Sequence, residues 1–324
     1  MEPTRKTIDL VIPCYNEEPN LLALVSEIDR IMANTHYAYN YIFVDDGSTD
    51  GTYLKLKDLS KSRKNISLIK LSRNFGKEAA MTAGLKECGS DAAIILDSDL
   101  QHPPYLIPAM ISEWEKGASI VDATKVNRSK ENIFKRLTSR AFNSIFRGLT
   151  DFDFAGACDY KLLDKKAIQI MNNMTENTRF FRGLTQWIGL RHAKVEFTVE
   201  HRNAGSTKWN TLSLFRLSID AVTSFSQKPL QIITVLGLFT LLFSFLLGIQ
   251  TLYNKLSGHA VSGFTTVIIL ILISASFIMI GIGILGIYLS KIYDEIKGRP
   301  ICVVEDVVSF KETDTKEKTG MNAP

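Results

Sequence analysis

Short apolar, β-rich runs alternate with longer segments of helical periodicity along the first part of the chain. IDLVI (8–12), YIFVD (41–45), ISLIKL (66–71) and AAIILD (92–97) read as strands. Between them, helical patterns run from Pro19 to Ala33, from Gly51 to Lys61 and from Lys77 to Glu87. This βαβαβαβ order predicts an α/β domain with a mostly parallel sheet and helices on both faces.

A different pattern follows. No Asp, Glu, Lys or Arg lies between Lys228 and Lys255, or from there to Lys291. A bilayer core about 30 Å thick needs roughly 20 apolar residues of helix. Leu230–Tyr253 and Val261–Leu289 both meet that length, and the short connection Asn254–Ala260 makes them an antiparallel transmembrane hairpin. Arg216 and Lys228 precede the first span, and Lys291, Lys297 and Arg299 follow the second, whereas the connection carries only Lys255. Positive residues favour the cytoplasm, so the N-terminal domain and the C-terminus are expected there, with two spans in the plasma membrane. The expected divisions are a cytoplasmic domain (1–210), an amphipathic juxtamembrane helix (211–228), the two spans (229–290) and a tail (291–324). The juxtamembrane stretch, LSLFRLSIDAVTSF (212–225), also reads as an ordinary core helix.

Composition adds less. Charged residues are 22% of the chain and the net charge is +4, too balanced for a protein that holds nucleic acid by charge alone. Cys14, Cys88, Cys158 and Cys302 form no C-x-x-C pair, so they read as free thiols in a reducing compartment. The sequons at Asn65, Asn127 and Asn173 carry no meaning in a cytosolic domain. Gly281, Gly283 and Gly286 spell G-x-G-x-x-G, but they lie inside an apolar span and not between a strand and a helix. They are better read as small residues that let helices approach, including helices of a second copy in a homo-oligomer.

In parallel α/β sheets, ligands bind beyond the carboxyl ends of the strands. Polar clusters sit at those ends: PCYNE (13–17), DDGSTD (45–50), RNFGK (73–77) and DSDLQ (97–101). Ser48, Thr49 and Asp50 suit a helix cap, but capping does not call for two carboxylates before Gly47. Asp97, Asp99 and Gln101 supply the oxygen ligands that Mg²⁺ or Mn²⁺ prefers.

Together, VIPCYNEE, FVDDGSTDGT, LSRNFGKEAAMTAGL and LDSDLQHPP resemble the inverting family-2 glycosyltransferases of the Rossmann-like A-type fold. Within that family the likeness is to the polyprenyl-phosphate branch, over almost the whole chain. The resemblance implies that Pro13, Tyr15 and Glu17 border the nucleoside of a nucleotide sugar and that Asp46 hydrogen-bonds the base. It further implies that Asp97, Asp99 and Gln101 hold the metal, with Lys77 near the donor. Lys125, where relatives often carry Arg, and Arg128 fall on the acceptor side, with Arg140, Arg202 and Lys208 as further cations for a lipid phosphate. Asp99 is expected to act in catalysis through the metal. Asp159 resembles an acid near the acceptor, either orienting it or acting as a base. His102 reads as support for the acid cluster, and His192 has no partner visible in the sequence.

The implied activity is transfer of one sugar to a polyprenyl (undecaprenyl) phosphate for cell-envelope glycosylation. The bacterial-looking architecture points to UDP-glucose or UDP-N-acetylglucosamine as donor. A processive polysaccharide synthase is the first alternative, although RGLTQWIG (182–189) stands where a Q-x-x-R-W motif belongs. An inactive membrane-tethered subunit that binds nucleotide sugar is the second.

Overall fold

The computed structural model describes residues 6–99, 102–125, 148, 157–177, 179–197, 222–223, 226–258 and 263–309. The chain separates into two compact units, Met1–Ser139 with Phe152–Ser206 and Arg299–Pro324, and Arg140–Asp151 with Thr207–Gly298. Of the expected segments, the juxtamembrane helix lies almost wholly outside the described residues.

The first unit is built on one eight-stranded sheet. Its strands are β1 (Thr7–Cys14), β2 (Ala38–Asp45), β3 (Ile66–Leu71), β4 (Ala92–Ile95), β5 (Ile120–Lys125), β6 (Ala157–Asp164), β7 (His192–Phe197) and β8 (Val304–Val308), in the order β7-β5-β6-β4-β1-β2-β3-β8. The heart, β3-β2-β1-β4, is parallel. β6 runs antiparallel to both β4 and β5, and β8 antiparallel to β3. The expected parallel core is therefore present within a mixed sheet.

Alternation along β1 explains the layers. Ile8, Leu10 and Ile12 join a core that includes Leu21, Leu24 and Ile28 of α1 (Leu21–Met32) and Ile107, Met110 and Ile111 of α4 (Ile107–Glu115). Val11 points to the other face, where α3 (Lys77–Glu87) packs closely through Ala80, Ala83 and Gly84. A Cβ on Gly84 would lie 2.5 Å from Val11 Cγ1, so the small residue sets that approach. α2 (Thr52–Ser62) packs against β3; its N-cap position is Gly51, and Asp50, one residue earlier, accepts the Thr52 amide at 3.0 Å through Oδ1.

The segment expected to be a tail differs. Residues 304–308 extend the sheet at the edge of β3, with Lys70 Nζ 2.9 Å from Glu305 and the Tyr53 hydroxyl 2.5 Å from Asp306. Pairing covers the edge that β3 would otherwise leave open.

The second unit contains α7 (Lys228–Leu256) and α8 (Phe264–Ile296), both long and apolar enough to cross a membrane, with mean hydropathy 2.5 and 2.9. Only 0% and 6% of their most apolar windows are buried, the opposite of a core hairpin in a soluble protein. Gly281 faces α7, where an added Cβ would lie 3.3 Å from Ile233 Cγ2, so this glycine serves packing within the chain. Gly283 and Gly286 have open space beside them, and all three lie in helix interior, where no phosphate-binding turn exists.

Three loops at the carboxyl edge of the sheet are laced together. Asn16, in a left-handed conformation (φ 57°) that Asn tolerates, accepts the Thr49 amide at 2.8 Å through its side chain. Its own amide donates to Ser48 Oγ at 3.0 Å. Gly47 (φ 66°) lies against the next loop, and a Cβ there would be 2.4 Å from the Arg73 carbonyl carbon. Both effects oppose a side chain at this position. Gly47→Ala should lower stability by more than about 2 kcal/mol, from the left-handed penalty plus a backbone clash. Thermal unfolding of the detergent-solubilised variant beside wild type measures it.

Candidate active site

β2 and β3 lie in sequence order to one side of β1, while β4 lies on its other side. The chain thus reverses direction across the sheet between β1 and β4, the place where open α/β sheets form a ligand crevice. A cavity of about 410 Å³ opens there. Pro13, Tyr15 and Glu17 reach it from the end of β1, Asp46 from β2, Lys77 from the start of α3, and Asp97 and Asp99 from beyond β4. β4 stops at Ile95, two residues short of the expected strand end, and this frees Asp97 to enter the cavity.

Each side chain is placed by its neighbours. Tyr15 is exposed. Glu17 accepts from Asn20 Nδ2 at 2.6 Å, and burial together with the charges of Asp99 and Asp97 raises its pKa. Asp46 is buried, and its two oxygens accept the amides of Phe75 (2.7 Å) and Gly76 (2.9 Å). Its carboxylate therefore fixes the RNFGK loop while lining the cavity. Asp45, beside it, is fully buried, and its Oδ2 has no hydrogen-bond partner.

The strongest electrostatic feature is a chain of alternating charges. Lys77 Nζ lies 2.5 Å from Asp97 Oδ1 and 2.8 Å from Asp159 Oδ2. Arg182, from the short helix α6 (Phe181–Trp187) that follows α5 (Lys165–Asn173), holds Asp159 with Nε at 2.7 Å and Nη2 at 3.1 Å. Burial alone would raise the pKa of Asp159, but Arg182 and Lys77 outweigh it and hold the carboxyl well below the usual range. A carboxylate so stabilised in its charged form is a weak proton acceptor near neutral pH. Burial alone would likewise lower the pKa of Lys77; Asp159 and Asp97 raise it instead. His102 Nδ1 lies 3.3 Å from Asp97 Oδ2, and its ring stacks on Tyr160 at 5.2 Å; burial lowers its pKa, so it supports the acid cluster as a neutral ring.

Glu78 adds a clasp. Its carboxylate accepts the Phe181 amide at 2.9 Å, tying the first turn of α3 to the first turn of α6, which carries Arg182.

Some expected residues lie elsewhere. Lys125, the last residue of β5, is exposed and does not line the cavity. Gln101, Arg128, Arg140, Arg202 and Lys208 lie outside the described residues. His192, without a visible partner in the sequence, has two: Nδ1 is 2.8 Å from Asp122 Oδ2 and Nε2 is 3.2 Å from the Thr185 carbonyl. Asp122 also pairs with the buried Lys161. This network joins β5, β6, β7 and α6, away from the cavity lining.

Arg182 and Glu78 escaped the sequence reading. The adjacency of Lys77 and Glu78 was a weak signal for Glu78. Nothing in the spacing linked Arg182 to Asp159.

Fold and site define an α/β enzyme whose ligand crevice is lined by carboxylates and a paired lysine. Residues 9–182 match glycosyl transferase family 2. The chain is 35% identical over 305 residues to an uncharacterised glycosyltransferase of Synechocystis, covering 93% of this chain and 95% of that protein. It is 32% identical over 300 residues to a prophage-derived bactoprenol glucosyl transferase of Shigella flexneri, covering 92% and 97%. Among solved structures, mannosyl-3-phosphoglycerate synthase of Rubrobacter xylanophilus aligns with a TM-score of 0.46 at 18% identity, covering 67% of this chain and 72% of that one. The chain belongs to glycosyltransferase family 2 and is a glycosyltransferase.

The Glu78 clasp has a pH signature. Burial, then the charge of Asp159, raises its carboxyl from 4.5 to about 7. The folded protein therefore keeps this proton to a higher pH than the unfolded chain does, and its contribution to stability falls as pH rises from about 4.5 to about 7. Glu78→Gln keeps an acceptor for the Phe181 amide and loses that dependence. Melting temperatures of wild type and variant across this window should diverge upward for the variant as pH rises.

Proposed function

We propose that the protein transfers one sugar from a nucleoside-diphosphate sugar, UDP-glucose or UDP-N-acetylglucosamine, to undecaprenyl phosphate or a similar polyprenyl phosphate. The observation that carries the reading is the crevice at β1 and β4, where Asp97 and Asp99 share a cavity with Pro13, Tyr15, Glu17, Asp46 and Lys77. Two nearly unburied apolar helices in the same chain support a lipid acceptor, as does the likeness to a bactoprenol glucosyl transferase.

The donor set fits a hard divalent cation. Among the described residues no group of three or more His, Cys, Asp or Glu forms a closed metal cage. Mg²⁺ is commonly held by one or two carboxylates with substrate phosphates completing its shell, and Asp97 and Asp99, with Gln101, suit that role. Bound there, Mg²⁺ or Mn²⁺ supplies Lewis-acid neutralisation of the leaving diphosphate.

The protein's own residues do the rest. Pro13, Tyr15 and Glu17 border the nucleoside, and Asp46, already anchored to the RNFGK loop, faces the base. An oxygen of the lipid phosphate forms a bond to the sugar C1 from the face opposite the diphosphate. The C1–O bond to the diphosphate breaks with its electron pair, releasing the nucleoside diphosphate and inverting C1. A lipid phosphate is largely ionised near neutral pH, its second pKa being about 6 by analogy with phosphorylated side chains. No proton need be removed, and Asp159 acts as a fixed negative charge that positions Lys77 and Arg182. Lys125, Arg128, Arg140, Arg202 and Lys208 gather the acceptor phosphate. The distribution of basic residues around the helices supports a reaction on the cytoplasmic face of the plasma membrane.

Purified protein, Mg²⁺, labelled nucleotide sugar and undecaprenyl phosphate test the proposal. Wild type should form a lipid-linked monosaccharide, and Asp99→Asn should reduce the rate by at least about a hundredfold, the scale of losing one charge-stabilising group at a reacting centre. Equal product from both would exclude Asp99 from the reaction. No product from either would favour the binding-subunit alternative, and a lengthening glycan would favour the processive one.

A further inference from the structure

The charge balance around Lys77 carries a consequence for metal loading. Two carboxylates, Asp97 and Asp159, are matched by two cations, Lys77 and Arg182. The matches are not equivalent. Asp159 is buried and is gripped by Arg182 through two nitrogens, so it keeps a cation if Lys77 leaves. Asp97 is more exposed, and the ammonium held against its carboxylate is that of Lys77, whereas His102 Nδ1 accepts the Asp97 backbone amide at 3.3 Å. Lys77 Nζ therefore stands where a cation bridging Asp97 and Asp99 would otherwise find the Asp97 oxygen unencumbered.

We propose that Lys77 is an internal counter-cation that competes with the divalent metal for Asp97, and that it yields Asp97 when the metal and nucleotide bind. Asp159, locked by Arg182, is the pivot on which the displaced ammonium stays. A divalent cation beside an ammonium that shares its carboxylate is repelled by it. The same ammonium, released from Asp97 in a cavity that also holds a nucleoside diphosphate, is attracted to the diphosphate. Lys77 thus disfavours metal alone and favours metal with nucleotide, which orders loading. It is a positioning residue whose signature is a change of sign between two binding equilibria.

The inference rests on the metal assignment proposed above, and its test separates the two. Mn²⁺ binding to the full-length protein in detergent is measured by electron paramagnetic resonance, first without nucleotide and then with UDP, for wild type, Lys77→Met and Lys77→Arg. Without nucleotide, Lys77→Met should bind Mn²⁺ roughly tenfold more tightly than wild type, the scale of removing one like charge a few ångströms away. With saturating Mn²⁺, the same variant should bind UDP more weakly by a similar factor. Lys77→Arg keeps the charge and should remain close to wild type in Mn²⁺ affinity, which guards against a folding defect in the methionine variant. Unchanged or weaker Mn²⁺ binding by Lys77→Met would overturn the competition while leaving the metal site intact. Absence of Mn²⁺ binding by wild type, with or without UDP, would overturn the metal assignment and the inference with it.

Discussion

Asp97 and Asp159 lie on either side of a single ammonium, and much of the surrounding architecture keeps those charges together. Two carboxylates in one half-buried crevice repel each other unless cations are held between or behind them. Lys77 stands between, from the first turn of α3, and Arg182 stands behind, from the first turn of α6. Glu78 ties those two turns through the Phe181 amide. Asp97, Lys77 and Asp159 come from three places far apart in the chain, so a packed α/β core is what makes their meeting possible. Small residues on α3 let that helix, and Lys77 with it, press onto β1 and β2.

The sheet supplies the location and the loops supply the shape. Parallel strands deliver four loop clusters to one edge, and the reversal between β1 and β4 opens the crevice among them. Gly47 lets the loop after β2 touch the backbone after β3, and Asp46 fastens the contact with two amide hydrogen bonds. On the proposed reading, these fastened loops form a rigid nucleotide wall. On the same reading, the carboxylates beyond β4 form the wall where charge develops. Ground-state rigidity of this kind is what lets electrostatic groups act without rearranging during reaction.

Much of this was legible along the chain, and the limits have physical reasons. ISLIKL and Lys77–Glu87 end where expected because strong local signals bound them. β2 begins earlier than its apolar run, at Ala38, because pairing with β1 recruits the less apolar AYN. VEDVV at 304–308 gave no strand signal, since an edge strand with two acids is half exposed and its partner, β3, lies more than two hundred residues away. The crevice residues Pro13, Tyr15, Glu17, Asp46, Lys77, Asp97 and Asp99 were readable because they lie at strand ends or in the polar clusters that follow them. The pairings Asp159–Arg182 and Asp122–His192 were not. They depend on where β5, β6, β7 and α6 meet, which no local pattern specifies.

The proposed reaction depends on Asp97 and Asp99 holding a donor diphosphate through one divalent cation. Crystals of the protein soaked with Mn²⁺ and UDP, measured at the manganese absorption edge, address it directly. A single anomalous peak beside Asp97, Asp99 and the diphosphate is expected, with Lys77 Nζ moved away from Asp97. A peak elsewhere, or ordered UDP in the crevice with no peak beside those two carboxylates, would contradict it.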